Sequence, residues 1–308
     1  MQYVFWILQL VLVPVLAPMG VGLVNLLKAK LQRRQGPPII QPYRNLWKLL
    51  HKDEVISHDA SPVFRIAPFI VFSVTLIVGA SIPLFGSFLA LPTGDLITIV
   101  YLLALGTFFL ALAGMDTGSA FGGFGSSREM TMSALAEGSF ILSLLVLVLM
   151  AGTTNLAGIS QFISGNYGHF LTPILLALAG FLVVLLAETS RFPFDNADTH
   201  LELTMIHEAM LLEYSGKRLA LMEWAAANKL MIFAALASNM FFPIGIAATA
   251  SAGAVLVALL ALAAKLVVVY VAVALLESSI AKYRFFRLPD LLMIAFILNI
   301  FAIGLVRR

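Results

Sequence analysis

The chain alternates long apolar runs with short polar breaks. Eight stretches are candidates to cross a bilayer, at roughly 3–27, 66–90, 95–115, 129–152, 170–188, 220–247, 253–277 and 288–306. A helix needs about 20 mostly apolar residues to span the hydrocarbon. Lipid offers the backbone no hydrogen-bond partners, so runs this long predict helices. They are too long for the strands of a membrane β-barrel.

Two segments depart from this rhythm. Residues 28–56 read "KAKLQRRQGPPIIQPYRNLWKLLHKDEVI". Gly36-Pro37-Pro38 ends the first helix. Beyond it Ile39, Ile40, Tyr43, Leu46, Trp47, Leu50 and Val55 recur near helical spacing, with Arg44, Lys48, His51 and Lys52 on the other side. This predicts an amphipathic helix in the interface plane, serving as a membrane-surface element or as a docking surface or gate. The second segment, "DTGSAFGGFGSS" at 116–127, reads as a flexible or tightly packed reentrant connection. Glycines there allow close backbone approach. It holds no phosphate-binding loop, and neither nucleotide nor nucleic acid is implied as a partner.

Composition narrows the class. The 308 residues are 61% hydrophobic and 11% charged, too oily for a soluble fold. The expected architecture is one all-α polytopic membrane domain over 1–308, with about eight transmembrane helices and one interfacial helix. There is no internal repeat or low-complexity tract. The first run lacks a basic leader and a small-residue cleavage site, so it reads as a retained helix. Cysteine is absent, which excludes disulfides, a thiolate nucleophile and a Cys-ligated iron–sulfur cluster. Any redox centre belongs on another subunit.

Charge sets the expected orientation. Lys28, Lys30, Arg33, Arg34, Arg44, Lys48, Lys52 and Arg65 follow the first span. Arg128, then Arg191, Lys217 and Arg218, then Lys282, Arg284 and Arg287 fill the later loops on that side. The opposite loops, near 91–94, 153–169 and 248–252, carry neither Lys nor Arg. The positive-inside rule makes the basic loops cytoplasmic. Both termini then lie outside, although Arg307 and Arg308 oppose the trend.

Ionisable residues within spans are costly and mark candidate sites. Glu137, Lys229, Lys265 and Glu277 are such residues. Glu129 and Glu137, eight apart, share one helix face. Lys229 has Glu223 below it; these two and Glu277 lie near helix ends, where structural ion pairs or snorkelling are the competing reading. Directly after an uncharged run comes "ETSRFPFDNADTHLELTMIHEAMLLEYSG" at 188–216, holding Glu188, Asp195, Asp198, Glu202, Glu208, Glu213, His200 and His207. Two His seven apart do not make the zinc-protease pattern, and no metal is expected. Crowded carboxylates raise one another's pKa, so this mouth suits proton exchange, or contact with a soluble partner.

"ETSRFPFD" followed by "LEYSG" resembles the loop between the fifth and sixth helices of the NADH dehydrogenase subunit 1 family of respiratory complex I. "QRRQGPPIIQPYRNLWKLL" resembles that family's first cytoplasmic segment, in a shortened form. That form, with "THLELTMIHE", "SSREM" and "ESSIAKYR", is similar to the hydrogenase-4 component C and formate hydrogenlyase subunit 4 branch of group 4 energy-converting nickel–iron hydrogenases. The resemblance implies eight helices plus an interfacial helix. It also implies a non-catalytic subunit of an inner-membrane oxidoreductase complex, one that docks a soluble redox arm and couples electron transfer to proton or sodium movement. Iron–sulfur clusters and nickel–iron would sit on the soluble hydrogenase-like and iron–sulfur partners, and antiporter-like membrane subunits would adjoin the chain.

By this resemblance Glu202 and Glu213 match acids of the cytoplasmic loop, Glu188, Arg191 and Asp195 match the motif that opens it, and Glu137 matches an acid on a buried helix. The proton-path candidates are Glu129, Glu137, Glu202, Glu208, Glu213 and Lys265. The docking or cavity candidates are Arg44, Glu188, Arg191, Asp195, His200 and His207. The alternatives are a quinone-binding subunit of a complex I-like dehydrogenase, with Arg44, His200 and His207 at the headgroup, and a free-standing secondary transporter.

Overall fold

In the computed structural model the described residues are 2–57, 59–88, 93–195, 205–281 and 283–306. Eight helices among them are long and apolar enough to cross a membrane. In chain order the helices are α1 (Gln2–Leu31), α2 (Gln41–Leu50), α3 (Pro62–Ser81), α4 (Leu96–Asp116), α5 (Ala120–Ala151), α6 (Leu156–Asn166), α7 (Leu171–Glu188), α8 (His207–Leu211), α9 (Gly216–Phe241), α10 (Ala252–Ser279) and α11 (Leu288–Val306). The described residues form no strand, only two isolated bridges. The fold is an all-α polytopic membrane protein.

The centre of the bundle is α9. Every residue from Leu230 to Phe241 on it is buried. Around it pack α1, α3, α7 and α10, while α5, α7 and α11 form an adjoining three-helix group. Phe181 and Phe233 join the two groups, with ring centroids 6.0 Å apart. Asn299 on α11 donates to the Ser139 carbonyl on α5 at 2.9 Å. In lipid such bonds contribute modestly, but they fix register.

The prolines of α1 show how a break in one helix is filled from another. Pro18 lacks an N–H, which leaves the Pro14 carbonyl without its helical donor. The Trp224 indole of α9 donates to that carbonyl at 2.8 Å. The Tyr43 hydroxyl of α2 donates to the next one, on Val15. Helix α2 is thereby tied to the break. It buries Leu46 and leaves Trp47 68% exposed. This helix is thus shorter than the amphipathic pattern suggests. Residues after it are irregular, with Val55 and Ser215 exchanging hydrogen bonds of 2.8 and 3.0 Å, and with Glu54 paired to Arg218.

The Gly/Ser-rich segment keeps the expected close backbone approach but corrects the expected connection. From Ala120 it forms the first turns of α5 rather than a connection. A Cβ on Gly122 would lie 2.0 Å from the Gly114 carbonyl oxygen, so α4 and α5 touch backbone to backbone. Glycine costs a helix about 1 kcal/mol relative to Ala. Here that cost is offset by packing that only glycine permits.

Candidate functional site

Helix α7 ends in a turn that sorts its charges. The Arg191 N–H donates to the Leu186 carbonyl at 2.9 Å and the Ser190 N–H to Ala187 at 3.2 Å. Ser190 takes the left-handed conformation, φ 51°, that usually calls for glycine in this kind of helix stop. The reversal sends Glu188 and Arg191 to different partners. Glu188 meets Lys229 of α9 at 2.8 Å. Arg191 meets Glu277 of α10 at 3.2 Å, and Lys28 of α1 reaches the same carboxylate at 3.5 Å. The Glu277 side chain is only 1% exposed, so two cations compensate one buried anion.

Glu129 is buried on α5, with Lys229, Glu188 and Asp195 as its charged neighbours. Glu137, two turns further along, has Glu188 and Lys229 as its own. Four ionisable groups from three helices thus form one cluster.

Two cavities adjoin this cluster. The larger, about 360 Å³, lies between α1, α2, α9 and the 189–195 turn, and its walls include Lys28, Arg191, Asp195, His207, Glu208 and Glu277. The smaller, about 70 Å³, holds Glu129, Glu188, Lys229 and His207 in its walls. Thr189, Ser190, His207 and Ala226 belong to both.

His207 opens α8. Asp195, 2% exposed, accepts from the His207 N–H at 2.9 Å and from the Ile206 N–H at 3.2 Å. Arg128 holds the preceding residue, donating to the Met205 carbonyl at 3.1 Å, and lies over the Phe124 and Phe285 rings. The imidazole is therefore fixed through its backbone. Its Nε2 is buried with no hydrogen-bond partner among the described residues. Burial lowers its pKa to about 4, with Asp195 opposing the shift, so the ring is neutral near neutral pH. Burial likewise raises the Tyr214 phenol, whose hydroxyl donates to the Phe64 carbonyl at 2.9 Å.

The structure brings Glu129, Glu188, Arg191, Asp195, His207 and Glu208 into the walls of these cavities, with Glu137 near the charges of Glu188 and Lys229. Three other candidates lie apart. Arg44 is exposed on α2 and lines neither cavity, and Glu213 is exposed beyond α8. Lys265 sits near the far end of α9, donating to Asn239 Oδ1 at 2.5 Å and to the Phe242 carbonyl at 3.2 Å. Asn239 in turn donates to the carbonyls of Pro83 and Leu84, where α3 has ended. His200 and Glu202, with Asp198, lie outside the described residues. The sequence put Glu223 beside Lys229, but six residues of separation points them apart, and Glu188 is the partner. The amides of Asn25, Gln41 and Asn45 in the large cavity were missed, because isolated amides carry no motif.

The NADH dehydrogenase family profile matches residues 4–306. The chain belongs to the NADH dehydrogenase subunit 1 family. Among relatives in this family, Escherichia coli hydrogenase-4 component C is 38% identical over 92% of this chain and 89% of its own length. Escherichia coli formate hydrogenlyase subunit 4 is 34% identical, covering 92% of each. A subunit of the NADH-quinone oxidoreductase of Ehrlichia ruminantium is 30% identical over 70% of this chain and 63% of its own. A chain in the structure of the membrane-bound sulfane sulfur reductase, an archaeal respiratory membrane complex, shares the fold, with TM-score 0.79, 20% identity and coverage of 98% and 99%.

Proposed function

We propose that this chain is the membrane anchor and ion-coupling subunit of a complex I-like, hydrogenase-type redox complex. The observation that carries the reading is the cluster of Glu129, Glu137, Glu188 and Lys229, three of which wall the small cavity, which shares Thr189, Ser190, His207 and Ala226 with the large one. Ionisable groups inside a membrane domain are expensive, and a polar cavity leading to them is the usual mark of an ion pathway. The names of the hydrogenase-4 and formate hydrogenlyase relatives support the assignment to a multisubunit complex. In this reading the basic loops face the cytoplasm of a plasma membrane. Segment 28–56 and loop 188–216 meet the soluble arm, and antiporter-like subunits lie alongside. Changes in charge at the mouth are passed inward as protons, or countered by sodium, along the acids.

The test is a complex carrying both Glu137→Gln and Glu202→Gln, in sealed vesicles. Gln keeps volume and hydrogen bonding but removes titration. Assembly should persist while ion pumping, and the redox turnover coupled to it, falls at least tenfold. Full coupling in the double variant would eliminate this path.

A second reading has its own observation. The large cavity combines apolar walls with Asn25, Gln41, Asn45 and His207, a set that fits the polar headgroup of a quinone. A quinone bound there would accept electrons and protons at that end. Quinone extracted in stoichiometric amount from the purified complex would favour this reading.

A further inference from the structure

We propose that His207 is the proton-transfer residue that joins the large cavity to the Glu188–Lys229–Glu129 cluster, granted the ion-coupling role proposed above. His207 is in the wall of both cavities, and they share only four residues. Of those four, Ala226 has no exchangeable side-chain proton. The Thr189 hydroxyl is committed to the Leu185 carbonyl at 2.6 Å. Ser190 and His207 remain, and only imidazole can take a proton on one atom while losing one from another near neutral pH.

The local build suits such a role. Asp195 and Arg128 hold the backbone at Met205–His207, so the ring is positioned without spending either of its nitrogens on that task. Nε2 is buried and unpartnered among the described residues. A buried polar atom left unsatisfied costs about 1–3 kcal/mol, so its retention calls for an explanation.

The charged groups around it are opposed in sign. The larger cavity presents Asp195, Glu208, Glu223 and Glu277, with Lys28 and Arg191. The smaller presents Glu129 and Glu188 with Lys229, and α4 adds no ionisable group to it. Burial keeps the ring neutral. Transfer therefore runs through the neutral tautomers. A proton arriving at one ring nitrogen from a protonated group or water in the large cavity is matched by loss of the proton on the other nitrogen toward a carboxylate of the small one. The ring gains one N–H bond and loses one, with no redox change, and rotation of the ring restores the starting tautomer after the proton has passed on.

The test uses the whole complex in sealed vesicles, with His207→Gln and with Nε2-methylhistidine at 207. The methylated ring keeps shape and aromaticity but cannot carry a proton on that atom. Both should assemble and show at least a tenfold loss of ion movement per electron. In a His207→Gly variant, added imidazole should restore movement, with a pH profile that shifts when 4-methylimidazole replaces it. Normal coupling in either His207→Gln or the methylated protein overturns the proposal, as does failure of both to assemble, since His207 would then belong to the fold. Glu188→Gln and Glu129→Gln separate the two levels. If they abolish coupling and the His207 variants do not, the pathway stands without His207. If they leave coupling intact, the ion-coupling reading itself fails.

Discussion

Glu188 and Lys229 form a 2.8 Å ion pair between the end of α7 and the middle of α9, with side chains 8% and 18% exposed. Removing one partner strands the other charge, which for a buried pair costs about 3–5 kcal/mol, whereas replacing both with apolar groups of similar volume is often nearly neutral. Glu188→Leu or Lys229→Met should therefore each sharply lower the thermal stability of the detergent-purified complex. The double variant should recover most of the loss. Equal loss in all three would show that packing, not charge, dominates at this contact.

His207 gives a pH dependence with a definite sign. Its folded pKa of about 4 lies below the ordinary histidine value of 6.5. Between those values the unfolded segment binds a proton that the folded one refuses, so local stability falls as pH drops through that window and is flat above it. Hydrogen exchange at residues 205–211, corrected for the intrinsic rate, should show protection declining from about pH 6.5 toward pH 4. His207→Gln should remove that decline.

The Pro14–Trp224 bond invites a double-mutant cycle. Trp224→Phe leaves the Pro14 carbonyl without a donor and should cost about 1–3 kcal/mol. In a Pro18→Ala background the restored N–H of residue 18 can serve that carbonyl, so the same Trp224→Phe change should cost less. Thermal melts of the four proteins give the coupling, and additive losses would mean that the indole N–H contributes little.

Topology is testable because the native chain has no cysteine. A cysteine at Lys217, Arg44 or Arg284 should resist an impermeant reagent applied outside intact cells, and one at Thr153 should react. Reaction at Lys217 from outside would invert the orientation proposed here.

Much of the fold was legible because its signal is one-dimensional. An apolar run is long enough to span or it is not, and all eight runs form helices. The third and fourth spans show the limit. Gly122 and Gly125 read as a break because helix propensity is local, whereas the contact that overrides it lies on another helix. Helix α6 was unread because it is only 11 residues long, and its one local cue is Asn155, which caps it by accepting from Ala157 and Gly158. At the site, the intramembrane charges could be found by cost alone, but their pairing could not. Glu188 reaches Lys229 only because Ser190 reverses the chain, and a left-handed serine has no sequence signature.

The surface segment after α2 is fastened to the first turn of α9 by Val55–Ser215 and by Glu54–Arg218. From Gly216 to Lys229 the helix continues unbroken through 13 residue steps, about 20 Å at 1.5 Å per residue. A stiff rod with a handle at one end conveys displacement as well as charge. A push on that handle would be carried along the helix axis to Lys229, so load on the rim and the ion pair at depth share one rigid element.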